Sequence, residues 1–161
     1  MPSNPVSKKY FLGDSDCTLD PQRRILLPKN WRSGEEGESF FIVPSTGKTL
    51  KVVRPEDFDR IVEETMAMNI SDEENGSGAM AIGSLSALVT PDKQGRVALT
   101  QGLVEYAGLK SRVSIVGSLG FGRILDYDTW QMEKGRAKDM IPALEKNTYR
   151  KRELQNYQHL N

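Results

Sequence analysis

Cysteine and histidine occur once each in this chain, as Cys17 and His159. That scarcity removes disulfide frameworks and nearly every transition-metal site built from those ligands. A thiol nucleophile with a histidine base remains formally available. His159, however, stands close to the carboxyl end, where chains fray, and Cys17 opens an apolar strand pattern in which a small buried hydrophobe is the ordinary expectation. No apolar run is long enough to span a membrane, and residues 1–5 (Met-Pro-Ser-Asn-Pro) lack the basic-then-apolar order of a signal peptide. A soluble cytoplasmic protein with no membrane partner is expected. Net charge is missing too. The 22 basic residues balance 22 acidic ones, which argues against a general nucleic-acid coat and leaves room for a local basic face. Paired acid carboxylates and a phosphate loop are absent, and Gly117, Gly120 and Gly122 suit a hairpin turn better than a phosphate cradle. Neither an enzyme nor a cofactor or metal is expected.

What the chain does contain is a short pattern that occurs twice. Thr18-Leu-Asp-Pro-Gln-Arg-Arg-Ile-Leu-Leu-Pro28 is echoed by Thr90-Pro-Asp-Lys-Gln-Gly-Arg-Val-Ala-Leu-Thr100. Each copy sets an aspartate four residues before an arginine: Asp20 and Arg24, then Asp92 and Arg96, 72 positions later. Self-similarity at a fixed period governs every later reading. The echo continues downstream, where Ile42 matches Ile115 and Phe58 matches Trp130 at nearly the same offset.

The runs at 25–27, 40–43, 50–53, 85–89, 113–116 and 123–125 are short, partly β-branched and bounded by Gly, Pro or Ser, so they read as strands. Residues 56–68 and 127–146 carry apolar side chains at helical spacing. Segments 28–32 and 102–108 read as one or two helical turns, the second stopped by Gly108. Each half is therefore strand, turn, strand, short helix, hairpin, helix. Halves of about 70 residues bury too little surface to stand comfortably alone, so one shared core is expected. The boundaries expected are a first repeat at 10–70, a linker at 71–81 with loop chemistry, a second repeat at 82–146, and a basic, flexible tail at 147–161. Residues 1–8 also read as flexible.

Charge is unevenly placed. From Arg54 to Glu74 eight acids face two bases, which makes that helix strongly acidic. Around the first turn Arg23, Arg24, Lys29 and Arg32 stand against Asp20 alone, whereas the second has Lys93 and Arg96 against Asp92. One reading is local: the aspartates start the turns by bonding their own backbone and the arginines pair with them. An exposed ion pair contributes only about 0–1 kcal/mol, so it gives no reason for a cluster of cations. The other reading is functional, with both turns on one face meeting DNA. Arg24 and Arg96 then suit base edges through their planar forks, Lys29 and Lys93 suit phosphates, and Arg23 joins them as a DNA-binding candidate. A third possibility is an oligomeric scaffold in which the Asp/Arg pairs join subunits and the acidic helix docks a protein partner. Residue chemistry alone leaves these open.

The doubled Asp-x-x-x-Arg signature, its apolar strand and proline at Ile25 to Pro28, and the later Glu105-Tyr-Ala-Gly-Leu109 resemble the MraZ family of bacterial transcriptional regulators over roughly residues 10–140. The resemblance implies an α+β fold with the pseudo-twofold, double swapped-hairpin architecture of AbrB-like proteins: a β-barrel-like core with short helices and one helix closing each half. It implies homo-oligomeric rings, octamer- or dodecamer-like, that bind direct repeats in double-stranded promoter DNA upstream of division and cell-wall genes. It also implies a nucleoid-associated protein with a DNA-binding signature face, carried here by Asp20, Arg24, Asp92 and Arg96. Three positions depart from the family's usual residues. Pro21-Gln22-Arg23 replaces a lysine and a glycine, Thr100 replaces a proline, and Val104 replaces an arginine.

Overall fold

The computed structural model describes residues 10–69 and 71–160; the flexibility expected of residues 1–8 lies outside them. The chain forms two compact units, the first ending at Tyr127 and the second beginning at Asp128.

In the first unit, the opening half comprises β1 (Asp14–Thr18), β2 (Arg24–Leu26), a 3-10 turn at Lys29–Trp31, β3 (Phe40–Ser45), β4 (Thr49–Val53) and α1 (Pro55–Met66). Helix α2 (Glu73–Leu85) leads to the other half. That half comprises β5 (Ala87–Val89), β6 (Arg96–Ala98), α3 (Gln101–Tyr106), β7 (Arg112–Gly117), β8 (Gly122–Asp126) and the start of α4 (Tyr127–Asp139). The order of events expected from the repeat is present in both halves. Helix α1 starts where the sequence favours a start, with proline in its first turn and Glu56 and Asp57 against the positive end of the helix dipole.

The segment at 71–81, which reads as loop, is instead mostly helical. Its Gly-Ser-Gly is embedded between Asp72, Glu73 and Glu74, placed favourably at a helix amino terminus, and the helix formers Ala79, Met80 and Ala81.

All strand pairings are antiparallel, and the main sheet runs β1-β7-β8-β4-β3-β5. Exchanging the halves maps this order onto itself. The outer strand of each half pairs with the hairpin of the other: Asp14 lies opposite Val116, and Phe40 opposite Val89. The barrel-like core expected from the resemblance is not found. The sheet is open, with β1 and β5 at its edges, because β2 and β6 pair with each other as a separate ribbon and, among the described residues, no strand joins the edges.

One core serves both halves, as expected. Ile25, Leu27 and Trp31 from the first are buried together with Val97, Leu99 and Leu103 from the second. Trp31 meets Phe11 edge-to-face at 5.0 Å and donates its indole N–H to the Leu12 carbonyl at 2.9 Å. Gly122 is required beneath it, since a Cβ there would stand 2.6 Å from the Trp31 Cη2. Gly117 pairs with Gly122 at the end of the β7–β8 hairpin, the turn expected of these glycines.

The second unit holds the remainder of α4 and α5 (Ile141–His159), separated at Met140 with Pro142 opening the second helix. Every described residue of α5 is exposed. The segment beyond 147, expected as a basic tail outside the core, lies in this exposed helix.

Candidate nucleic-acid interface

The two signature turns have the same internal wiring. At the first, Asp20 Oδ1 accepts the backbone N–H of Gln22 at 2.9 Å and of Arg24 at 2.7 Å, while Oδ2 accepts Arg24 Nε at 2.6 Å. At the second, Asp92 Oδ1 accepts from Gln94 at 2.9 Å and Arg96 at 3.0 Å, and Oδ2 accepts Arg96 Nε at 3.0 Å. In each turn the aspartate backbone N–H also donates to the arginine carbonyl, at 3.2 Å in the first and 2.9 Å in the second. Aspartate suits this position because a short carboxylate reaches amides two and four residues on. The backbone N–H of Arg24 is the main cause that lowers the Asp20 carboxyl below the usual range, and that of Arg96 does the same for Asp92.

The turns are brought together by the β2–β6 ribbon. Arg24 lies opposite Ala98, Ile25 opposite Val97 and Leu26 opposite Arg96. Alternation sends Ile25 and Val97 inward, where each is 1% exposed, and turns Arg24 and Arg96 to one outward face. As diagonal neighbours their Cα atoms stand about 7–8 Å apart. Each arginine uses Nε on its aspartate and keeps about a third of its side chain exposed, 32% for Arg24 and 35% for Arg96. The local reading is therefore correct as far as it goes. It occupies one edge of each guanidinium and leaves the fork to another acceptor.

The remaining candidates sit around this face. Lys29 is exposed in the 3-10 turn that follows β2, and Lys93 is exposed inside the second turn. Arg23 is exposed at φ +60°, left-handed for a residue with a side chain, and its Nε donates to the Leu99 carbonyl at 3.1 Å. The equivalent residue of the second turn is Gly95 at φ +87°. The backbones answer each other: Leu27 N–H donates to the Gly95 carbonyl at 3.0 Å, and Leu99 N–H to the Arg23 carbonyl at 2.8 Å.

Arg32 corrects the charge count made from the chain order. It follows the first turn in sequence, yet its guanidinium lies over Gly95 of the second, with Nη1 and Nη2 at 2.6 and 2.7 Å from where a Cβ would stand. Its Nε is buried without a hydrogen-bond partner. Moving Arg32 across leaves three cations and one aspartate at each turn. The second turn also faces acids, since Glu35, Glu36 and Glu38 line a shared cleft with Arg32, Asp92 and Lys93. The sequence signal for Arg32 was the bare floor that a glycine offers at position 95. Its donor, however, lies in the other half of the chain.

Among the described residues, no group of three or more His, Cys, Asp or Glu is placed to hold a metal, and no helix is long and apolar enough to cross a membrane. Cys17 is half-buried, and burial pushes its thiol up, which makes a reactive thiolate unfavourable.

A single α+β core carrying two symmetric Asp/Arg turns on one ribbon defines a class of internally duplicated proteins with a paired cationic face. Residues 10–77 match the family described as "MraZ protein, putative antitoxin-like". Three proteins named transcriptional regulator MraZ are similar to the chain. That of Kocuria rhizophila is 29% identical over 83% of this chain and 99% of its own length. That of Acetivibrio thermocellus is 26% identical over 78% of this chain and 87% of its own, and that of Paenarthrobacter aurescens 29% over 74% and 83%. The chain is similar to the MraZ family, and to these regulators over most of its length.

Proposed function

We propose that this protein is a sequence-specific DNA-binding transcriptional regulator whose β2–β6 ribbon presents Arg24 and Arg96 to base edges and Arg23, Lys29 and Lys93 to phosphates. The observation that carries this reading is the placement of Arg24 and Arg96 on one outward face, each bonded through Nε alone. A guanidinium held at one edge is pre-oriented, so less rotamer freedom is lost when its fork meets the guanine edge. Similarity to proteins named transcriptional regulator MraZ supports a regulator rather than an enzyme.

The finer parts of the reading rest on the resemblance. They are a homo-oligomeric ring, direct repeats upstream of division and cell-wall genes, a swapped-hairpin organisation with repeats at 10–70 and 82–146, and a cytoplasmic, nucleoid-associated location. Ring assembly has a physical logic. A protomer with few phosphate contacts binds weakly, and linked protomers on successive repeats gain about 10² to 10⁴ in avidity. Both Asp/Arg pairs close within their own turns, which supports the DNA reading over the scaffold alternative.

Binding of the purified protein to its own upstream DNA, titrated against salt, tests the proposal. The expected result is tighter binding than to a scrambled fragment, with affinity falling as salt rises. Equal affinity for both fragments, or no salt dependence, overturns it.

A further inference from the structure

Exchanging the halves maps Gly95 onto Arg23 and Trp31-Arg32 onto Leu103-Val104, with Trp31 and Leu103 both fully buried at matching places. At the second turn the arginine comes from the segment after the 3-10 turn and lies on a glycine. The guanidinium fills the space that a Cβ at position 95 would occupy. That site therefore holds one side chain or the other, never both. At the first turn the occupancy is reversed: the turn itself carries the arginine, Arg23, and the symmetric helix position carries Val104, packed against the core. The two backbones differ at this residue, Arg32 being extended at ψ 135° while Val104 lies within α3.

We propose that Arg23 and Val104 form one matched exchange, in which the turn supplies to the first site the guanidinium that Arg32 supplies to the second, so that each turn offers a second arginine to a phosphate of double-stranded DNA. The DNA part rests on the function proposed above. The exchange explains why a side chain is tolerated at φ +60°. Arg23 gains the Leu99 carbonyl through Nε.

A double-mutant cycle tests it, read by thermal melting and by binding to the upstream DNA fragment. In melting, Val104→Arg lowers the midpoint when Arg23 is present, because two guanidinia then crowd one site, and is harmless beside Arg23→Gly. Additive effects on melting overturn the exchange whatever the DNA result. In binding, Arg23→Gly weakens the complex about tenfold and reduces its salt slope by about one, and Arg23→Gly with Val104→Arg returns affinity to within about threefold of the parent. Retained affinity in Arg23→Gly, or no rescue in the double variant, overturns the DNA role of Arg23. If the parent protein binds no DNA, the proposed function fails while the melting cycle still decides the exchange.

Discussion

The two signature turns use the same aspartate, the same three hydrogen bonds and the same ribbon, yet one is floored by glycine and the other by arginine. Their difference teaches that a duplicated site can keep its wiring while the source of one charge moves between elements. Gly95 accepts a guanidinium from another segment, and Arg23 carries its own. The surroundings differ as well. Glu35, Glu36 and Glu38 border the second turn. At the corresponding positions 72 residues on, the second half has Ala107, Gly108 and Lys110. With equal cations at each turn, the first is the stronger attractor of phosphate.

Substitution at the glycine should break this comparison most severely. Gly95→Ala places a side chain at φ +87° and in the path of Arg32, and should cost about 1–3 kcal/mol in urea unfolding. Arg23→Gly, the reverse change at the twin position, should stay within about 1 kcal/mol of the parent, because relief of the left-handed backbone offsets the added freedom of the unfolded chain. Equal costs at the two positions would remove the asymmetry altogether.

Next in size are the outward arginines. Arg24→Ala and Arg96→Ala should each weaken binding to the upstream fragment roughly tenfold with the fold retained, as expected for loss of a base-edge contact. A cooperative loss of structure instead would return these residues to a purely local role. If the acidic border matters, the Arg24 variant loses more than the Arg96 variant. Lysine changes should be milder. Lys29→Ala and Lys93→Ala should lower affinity about two- to threefold each, uniformly across sequences, with a salt slope shallower by about one.

The smallest effect is on acid stability. Both aspartates titrate lower in the fold than in the unfolded chain, so their contribution is complete above the ordinary carboxylate range of about 4 and disappears as pH falls through the folded-state values. Asp20→Asn and Asp92→Asn should flatten the acid limb of the stability profile. An unchanged limb in both would show that the turn amides do not distinguish the charged form.

Much of this is legible in the sequence. Ile25, Val97 and the offset of 72 place two equivalent ribbon strands, and Pro55 with Glu56 and Asp57 marks the start of α1. Period and punctuation suffice there because the signal is local. They fail at 73–78, where a Gly-Ser-Gly that reads as loop is carried into helix by its flanks. They also fail for Arg32, whose neighbour is 63 positions away, because a side chain that crosses between halves leaves no trace in spacing. The barrel expectation fails for a related reason. Composition places strands but does not say whether β2 and β6 will join the sheet edges or each other.

The pairing of β1 with β7 also dictates an order of assembly. Asp14 finds its partner at Val116, so a chain emerging amino terminus first makes its first strand long before the hairpin that receives it. The same holds in reverse for β5, which meets a hairpin already made. Closing a loop of that length is entropically slow, and an unpaired strand is open to wrong partners until it closes. The native sheet is therefore completed only after nearly the whole first unit has been synthesised, and neither half carries a finished structure of its own at any earlier point.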